Sequence, residues 1–340
     1  MKMSLKNARA FGRSVVACAL LGAVLGSTAA FAQDACPYRG ELDEMYCDAN
    51  KDMVADAPTD PKKFRDPNTL VFAFTPVEDP SIYEKLFQPF MGYLSQCVGK
   101  KTMFFAVQSN SAQIEAMRSG RLHLAAFSTG PTNFAVNIAG AVPFAIRGTA
   151  KGPEGVSVQM IVRKDSPYKK LTDLKGKKVA HASPSSNSGN LAPRALFPPL
   201  GLTPDKDYQV VYSGKHDQSI LGVKSGDYDA APVASDVLQH MIERGVVKAD
   251  DFTTLYTSAL FPTDSYAYAH DLEPKLVEKI KACFFDYKIP PEMAKGLGGD
   301  RFLPANYKKD WELVRQVAVS AGQSLSRAGY DAERAKSAKK

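Results

Sequence analysis

Hydrophobic positions between residues 69 and 127 alternate between short apolar runs and longer helical repeats. Residues 69–74 form a continuous apolar run, which is the pattern of a strand buried on both faces. From residue 81 to residue 97 the apolar positions recur at helical spacing, and residues 109–119 predict a second helix. Further strands are predicted at 102–107 and 122–127. This alternation predicts a parallel sheet covered by helices.

The alternation continues through the second half of the chain. Strands are predicted at 156–162, 208–212, 253–257 and 265–269, and the remainder is expected to be helical, through 276–285 and 311–328. The segments that begin at Gly120 and Gly226 share a pattern, in which a strand of small apolar residues is followed by a helix that begins with small polar residues. This weak internal repeat indicates two similar α/β lobes that face a cleft and are joined by two crossing segments.

The first 32 residues have the pattern of a secretory signal peptide. Four basic residues precede an apolar run at 15–25, and Ala30-Phe31-Ala32 matches a cleavage site before Gln33. The apolar run is too short for a permanent membrane anchor. We therefore expect a mature chain that begins at Gln33, outside the cytoplasm. A lipoprotein modified at Cys18 is the weaker alternative, because little apolar sequence precedes that residue.

The net charge of +7 and the pI near 9.0 raise the question of a nucleic-acid partner. Four basic residues and no acidic residue lie in the signal sequence, and the last eight residues carry a further excess of three. Between residues 33 and 332 the two signs are equal in number, at 35 each. The charge therefore belongs to the two ends of the chain, and nucleic acid is not an expected partner.

Four cysteines follow the signal sequence, which is an even number in an oxidising compartment and indicates two disulfides. Three pairings are open, and we favour Cys36–Cys47, which closes a short loop, with Cys97–Cys283. The cysteines and histidines lack the spacing of a zinc site, so no metal is expected.

Two predicted helix starts could bind an anion. Ser128 and Thr129 precede Gly130-Pro131, and the second lobe has the denser run Ser183-Pro184-Ser185-Ser186-Asn187-Ser188-Gly189. Free N–H groups, the positive end of the helix dipole and hydroxyl donors suit a tetrahedral oxyanion. Each motif alone could instead be an ordinary N-cap.

Three further side chains lie at strand ends. His216 could donate to an oxyanion, or it could be a surface histidine. Asp236 could be a plain N-cap and Asp264 a turn residue, and either carboxylate could accept a proton or hold a ligand amine. The sequence contains no G-x-S-x-G, H-E-x-x-H, Walker or dinucleotide motif, and no catalytic constellation is visible.

These residues resemble the phosphate/phosphite/phosphonate periplasmic binding proteins of ABC transporters, the PhnD-like family, from about Leu70 to about Trp311. The run 183–189 is similar to the D-P-x-S-T-S-G signature of that family, with Ser183 in place of Asp and Asn187 in place of Thr. Supporting stretches are 164–167, 171–176, 215–217 and 226–230.

The resemblance implies a ligand-binding role for a specific set of residues. Ser186, Asn187, Ser188 and Gly189 match the oxyanion loop, and His216 matches the oxyanion-contacting histidine. Ser128 and Thr129 match the contacts from the first lobe. Asp236 and Asp264 match the carboxylates that hold a ligand amine, and Tyr83 matches a cleft aromatic. Because this set contains no Arg or Lys, recognition is expected to use neutral donors and helix dipoles.

The fold implied is a two-lobe α/β periplasmic binding protein of type II with a ligand cleft between the lobes. The expected boundaries are a signal peptide at 1–32, an N-terminal extension at 33–67, lobe 1 at 68–155 plus 266–332, lobe 2 at 156–265 and a basic tail at 333–340.

The implied function is capture of a small phosphorus oxyanion for an ABC permease in the inner membrane, by a monomer without cofactor or metal. One alternative is an oxyanion sensor, for example for arsenite, that acts on a membrane histidine kinase. Others are an exported hydrolase that uses Ser186 or Ser188 with His216, and a binder of sulfonates or other organic anions on the same fold.

Overall fold

The computed structural model describes residues 36–337, so the predicted signal peptide, Cys18 and Gln33 lie outside the described residues. The strands are β1 (Thr69–Phe74), β2 (Lys101–Phe104), β3 (Leu124–Phe127), β4 (Ala141–Thr149), β5 (Gly152–Pro153), β6 (Gly155–Val156), β7 (Val158–Arg163), β8 (Lys178–His181), β9 (Gln209–Tyr212), β10 (Ala230–Ala234), β11 (Phe252–Thr257), β12 (Phe261–Pro262), β13 (Ser265–Ala269) and β14 (Arg301–Pro304).

The α-helices are α1 (Pro80–Val98), α2 (Asn110–Arg118), α3 (Pro131–Ala139), α4 (Ala192–Leu196), α5 (His216–Ser225), α6 (Ser235–Glu243), α7 (Pro274–Asp286), α8 (Pro291–Leu297), α9 (Tyr307–Asp310), α10 (Glu312–Ser320) and α11 (Arg327–Ser337). Short 3₁₀ turns lie at Pro61–Lys63, Leu171–Leu174, Pro198–Leu200 and Ala249–Asp251, and a π-helical turn lies at Asn187–Leu191. Within residues 36–337, no helix has the length and apolar character needed to cross a membrane.

The strands form two main sheets, each with three parallel strands on one side. The first has the order β14-β4-β13-β3-β1-β2, in which β1 is parallel to β2 and β3. The second has the order β11-β7-β10-β8-β9, in which β8 is parallel to β9 and β10. We call the first sheet with its helices the first lobe and the second sheet with its helices the second lobe. The expected two-lobe α/β fold is confirmed, with antiparallel strands on the other side of each sheet.

The chain crosses between the lobes twice, and the two crossings pair with each other. Strands β6 and β12 form an antiparallel ribbon in which Val156 lies opposite Phe261 and Gly155 opposite Pro262. Strand β13 then returns to the first sheet between β3 and β4. A paired ribbon of this kind is a natural hinge, because small changes in two short strands rotate one sheet relative to the other.

The segment before β1 is part of the folded first lobe. Leu42, Tyr46 and Ala55 are buried in its core, although their sequence has little periodicity. The structure has the disulfides Cys36–Cys47 and Cys97–Cys283, and the second joins α1 to α7. The extension therefore adds apolar contacts that the pattern of hydrophobic residues did not reveal.

The predicted helical remainder of the chain is wrong in two places. Strand β14 interrupts it, and the expected helix at 311–328 is broken between α10 and α11, where Gly322 has a left-handed φ of 77°. Residues 333–337 continue α11, and Glu333 is buried. Strand β4 was not predicted, since Pro143 and Gly148 interrupt its pattern; Pro143 is accommodated where the register with β13 shifts.

Candidate functional site

A cavity of about 60 Å³ lies between the lobes, at the carboxyl ends of the central strands of both sheets. We call it the interlobe cavity. Its volume gives room for about four water molecules, which suits a small ligand. Nine of the ten predicted ligand-binding residues line it: Tyr83, Ser128, Thr129, Ser186, Asn187, Ser188, His216, Asp236 and Asp264. The tenth, Gly189, lies behind the cavity wall.

The loop that follows β8 owes its shape to Pro193. Proline has no N–H to bond the carbonyl oxygen of Gly189 four residues earlier, and that oxygen instead accepts from the N–H of Ala182 at 3.1 Å. The preceding turn is π-helical, with the Leu191 N–H bonded to the Ser186 carbonyl oxygen at 2.9 Å. The wider turn presents residues 186–188 together on the cavity wall.

Gly189 is required by close packing at this turn. A Cβ there would lie 2.9 Å from Ser186 Oγ and 3.0 Å from the Cε1 atom of His216. Its N–H donates to Ser186 Oγ at 3.0 Å, which is an N-cap bond. The structure therefore places Gly189 as a support for the loop, and its N–H is already used.

His216 begins α5 and its imidazole faces the serines of the loop. Its Nδ1 atom accepts from the Ala234 N–H at 3.3 Å, so in the neutral ring the proton lies on Nε2. Nε2 lies 3.3 Å from Ser186 Oγ and 3.4 Å from Ser188 Oγ. Burial lowers the pKa of His216 to about 4. The side chain is therefore a neutral hydrogen-bond donor to the cavity.

The His216 ring is expected to stay neutral at every pH between 8 and 5. NMR titration of its ring nitrogens should show a constant Nε2–H tautomer across that range. The unfolded chain takes up a proton near pH 6.5 while the folded chain does not, so this group's contribution to the free energy of unfolding is lost as pH falls from 6.5 to 4. The shift corresponds to about 3 kcal/mol.

The pKa values of His123 and His181 are lowered as well. The contribution of His216 is therefore measured as the difference in free energy of unfolding between the wild type and His216→Gln. The stability of the wild type relative to His216→Gln should be greater at pH 7 than at pH 4.5. A ring that titrates near pH 6.5, or a stability difference that is the same at both pH values, would contradict this interpretation.

Unpartnered polar atoms are found in the cavity wall. Asn187 is buried, and neither its side-chain oxygen nor its side-chain nitrogen makes a hydrogen bond in the described part of the chain. The buried Thr263 Oγ1 also lacks a hydrogen-bond partner there. Buried polar groups are normally paired, so such atoms need an explanation. Ligand atoms within the cavity would supply the missing partners.

The two predicted ligand contacts from the first lobe, Ser128 and Thr129, differ in whether the hydroxyl is free to donate to a ligand. The Thr129 hydroxyl donates to the hinge carbonyl oxygens of Pro262, at 2.8 Å, and Thr263, at 3.1 Å. Its own carbonyl oxygen accepts from Trp311 Nε1 at 3.0 Å. Ser128 has no comparable hydrogen bond from its side chain among residues 36–337. The Thr129 side chain thus links the cavity to the hinge, and Ser128 is the one with a free donor.

Asp264 is half of a buried ion pair. Arg147 Nη2 donates to its Oδ1 at 2.6 Å and Arg147 Nε to its Oδ2 at 3.2 Å, with side chains only 2% and 7% exposed. Arg147 Nη1 also donates to the Gly298 carbonyl oxygen at 3.1 Å. Both partners line the cavity. The cavity wall therefore includes a guanidinium, which the predicted set of neutral donors lacked, and the Asp264 carboxylate is already compensated.

Asp236 and Tyr83 complete the wall near this pair. Burial raises the pKa of Asp236 and lowers that of the neighbouring His240, which favours the neutral form of each. The ring of Tyr83 packs on Phe74 at a centroid distance of 4.4 Å. The cavity thus combines donors on the side of residues 186–188 and 216 with a charged pair on the opposite side.

Sequence reasoning missed Arg147 and Asn110. Arg147 lies in β4, which was not predicted. Asn110 begins α2, and its Nδ2 atom donates across the cleft to Ser185 Oγ at 3.2 Å and Ser183 Oγ at 3.4 Å. A helix start after a strand was the signal that could have identified Asn110. No local signal marked Arg147, because its partner lies 117 residues away.

Comparisons with known proteins agree with this architecture. The family described as "ABC transporter, phosphonate, periplasmic substrate-binding protein" matches residues 72–311. The phosphate-import protein PhnD of Mycolicibacterium smegmatis is 28% identical over 64% of this chain and 71% of its own length. The phosphonates-binding periplasmic protein of Escherichia coli is 25% identical over 74% of this chain and 76% of its own.

Solved structures give the same fold at lower identity. The binding protein component of an ABC phosphonate transporter from Pseudomonas aeruginosa superposes with a TM-score of 0.68 at 22% identity, over 76% of this chain and 88% of that one. PhnD1 from Prochlorococcus marinus, in complex with methylphosphonate, superposes with a TM-score of 0.68 at 20% identity, over 76% of this chain and 99% of that one. With a family match over most of the chain, the protein belongs to the periplasmic substrate-binding proteins of phosphonate ABC transporters.

Proposed function

We propose that this protein captures a small phosphorus oxyanion, a phosphonate, phosphite or phosphate, and delivers it as a monomer to an ABC permease in the inner membrane. In this proposal the chain reaches the periplasm through cleavage of the signal peptide before Gln33. Lobe 1 comprises 68–155 plus 266–332, against which Leu42, Tyr46 and Ala55 of the N-terminal extension pack, and lobe 2 comprises 156–265.

The observation that carries this proposal is the group of donors around residues 186–188. The Nε2–H of His216, the hydroxyls of Ser186 and Ser188, and the unpartnered amide of Asn187 all line a cavity of about 60 Å³. Hydrogen bonds to a charged acceptor are about twice as strong as neutral ones. An oxyanion would therefore satisfy these groups, while the Arg147 guanidinium in the cavity wall stays paired with Asp264, and the ligand would still be released to a permease.

The same geometry favours binding over hydrolysis. A serine nucleophile needs a histidine nitrogen that accepts its proton. Here the nitrogen nearest Ser186 and Ser188 carries the proton, because Nδ1 accepts from the Ala234 N–H. His216 therefore donates towards these serines. Turnover of ester substrates that disappears in Ser188→Ala would overturn this assignment.

Binding of arsenite through a thiol finds no support among the described residues. Cys36, Cys47, Cys97 and Cys283 are all in disulfides in the part of the chain that the structure covers. A thermal-shift panel tests the ligand class directly, with phosphate, phosphite, methylphosphonate, 2-aminoethylphosphonate, sulfate, taurine and arsenite. A ligand at a hundredfold its Kd should stabilise the protein by about 2.7 kcal/mol. No shift with any phosphorus compound would refute the proposal.

Ser188→Ala should weaken binding of the phosphorus ligand by about 10- to 100-fold, since it removes one hydrogen bond to a charged group. Isothermal titration calorimetry gives the Kd, and circular dichroism checks that the fold is unchanged. Ser225→Ala is the matched control, because Ser225 is exposed in the same lobe, away from the cavity, and its hydroxyl donates to the Gly222 carbonyl oxygen and to Asp227 Oδ2. Equal Kd values for both variants would mean that the oxyanion is bound elsewhere.

A further inference from the structure

An ion pair joins the lobes beside the interlobe cavity without lining it. Glu78 lies in the loop between β1 and α1 of the first lobe, and Arg244 follows α6 of the second lobe. The Arg244 Nη2 atom donates to Glu78 Oε2. The Glu78 side chain is only 1% exposed, whereas that of Arg244 is 31% exposed. The contact therefore buries a carboxylate that opening of the cleft would return to water.

Within residues 36–337, Arg244 is the cation that compensates the buried Glu78 carboxylate. Burial raises the pKa of Glu78 to about 7, Arg244 acts against that rise, and the acidic groups of Asp217 and Asp236 add to it. The second carboxylate oxygen, Oε1, has no hydrogen bond within residues 36–337. When the lobes are closed, loss of Arg244 would leave a buried charge without compensation, which is far costlier than loss of an exposed pair.

The ion pair is connected to the donor side of the cavity through the backbone. Val77 precedes Glu78, and its carbonyl oxygen accepts from the His216 N–H across the cleft at 3.1 Å. Arg244 directly follows α6, and α6 begins directly after Ala234, whose N–H donates to His216 Nδ1. The elements that carry Glu78 and Arg244 are thus the two that hold His216 in place.

We propose that the Glu78–Arg244 ion pair sets the affinity of this protein by holding the lobes closed, as a pair of positioning residues that do not touch the ligand. The proposal rests on the proposed function in one respect only, namely that a phosphorus oxyanion is the ligand used to measure closure. Contacts that exist only in the closed state slow ligand release, because release requires them to break first.

A double-mutant cycle with methylphosphonate tests the proposal at pH 8, where Glu78 is ionised. Glu78→Gln and Arg244→Met should each raise the dissociation rate about tenfold with little change in the association rate. The double variant should be no worse than either single variant, since both remove the same interaction. Arg163→Met is the matched control, because Arg163 pairs with Asp165 on the exposed surface of the second lobe.

Unchanged dissociation rates, or losses that add in the double variant, would overturn the proposal. Small-angle X-ray scattering of the ligand-free proteins provides a readout that needs no ligand. Both single variants should have a larger radius of gyration than the wild type and the Arg163→Met control, and equal radii would also overturn the proposal. If the wild type binds no compound of the panel, the proposal that the ligand is a phosphorus oxyanion is refuted. The scattering result would then decide whether the ion pair holds the lobes closed.

Discussion

Gly130→Val should abolish tight ligand binding while leaving the fold intact. Gly130 has a φ of −73° and a ψ of −51°, which any residue adopts, so a side chain causes no backbone strain in the first lobe. A Cβ at this position would, however, overlap the Ser185 carbonyl oxygen of the second lobe and lie 2.8 Å from the Asn187 N atom. The lobes could then not approach as closely as the structure has them.

The expected loss of affinity for Gly130→Val is at least about 100-fold, because the binding-competent closed state becomes rarely populated. Calorimetry with methylphosphonate measures it, and the Tm of the ligand-free protein should stay near that of the wild type. Gly92→Ala is the control, since a Cβ at Gly92 meets nothing within 4 Å. A Gly130→Val Kd within threefold of the wild-type value would contradict closure at this contact.

Asp264→Ala should lower the free energy of unfolding by about 3–5 kcal/mol, the usual result of leaving a buried charge unpaired. The Arg147 guanidinium, whose side chain is 2% exposed, would keep one acceptor, the Gly298 carbonyl oxygen. Chemical denaturation followed by circular dichroism measures the change. This is the largest single effect on stability that the site predicts.

Two further variants separate loss of the charge pair from loss of packing. Arg147→Met combined with Asp264→Leu removes both charges and should recover most of the stability that Asp264→Ala loses. Asp165→Ala removes a partner of the exposed Arg163 pair and should cost less than 1 kcal/mol. A loss below about 1 kcal/mol for Asp264→Ala would mean that Arg147 finds another partner or water.

The hydrophobic pattern was enough to predict the central strands and the helix starts after them. Strands β1, β3 and β10 are short apolar runs, and the residues that follow each run come to one edge of a sheet by geometry alone. This is why nine of the ten predicted ligand-binding residues line one cavity. Local sequence is sufficient where the site is built from strand ends.

Charged contacts between distant segments could not be predicted in the same way. Glu78 and Arg244 are 166 residues apart, and Arg147 and Asp264 are 117 apart. Nothing in the local pattern selects one partner among the many charged residues of the chain, since the choice depends on the closed arrangement of both lobes. Similarly, Leu42 and Tyr46 are core residues only because the first lobe offers them a surface.

The disulfide between Cys97 and Cys283 spans 186 residues of sequence, and the whole second sheet lies within the loop that it closes. A protease that cuts the backbone once anywhere between residues 98 and 282 therefore releases no fragment. The two pieces stay covalently joined, and each half of the first sheet remains tethered to the other. Such a nicked molecule would run as one species on a gel without reductant and would separate into two only after reduction.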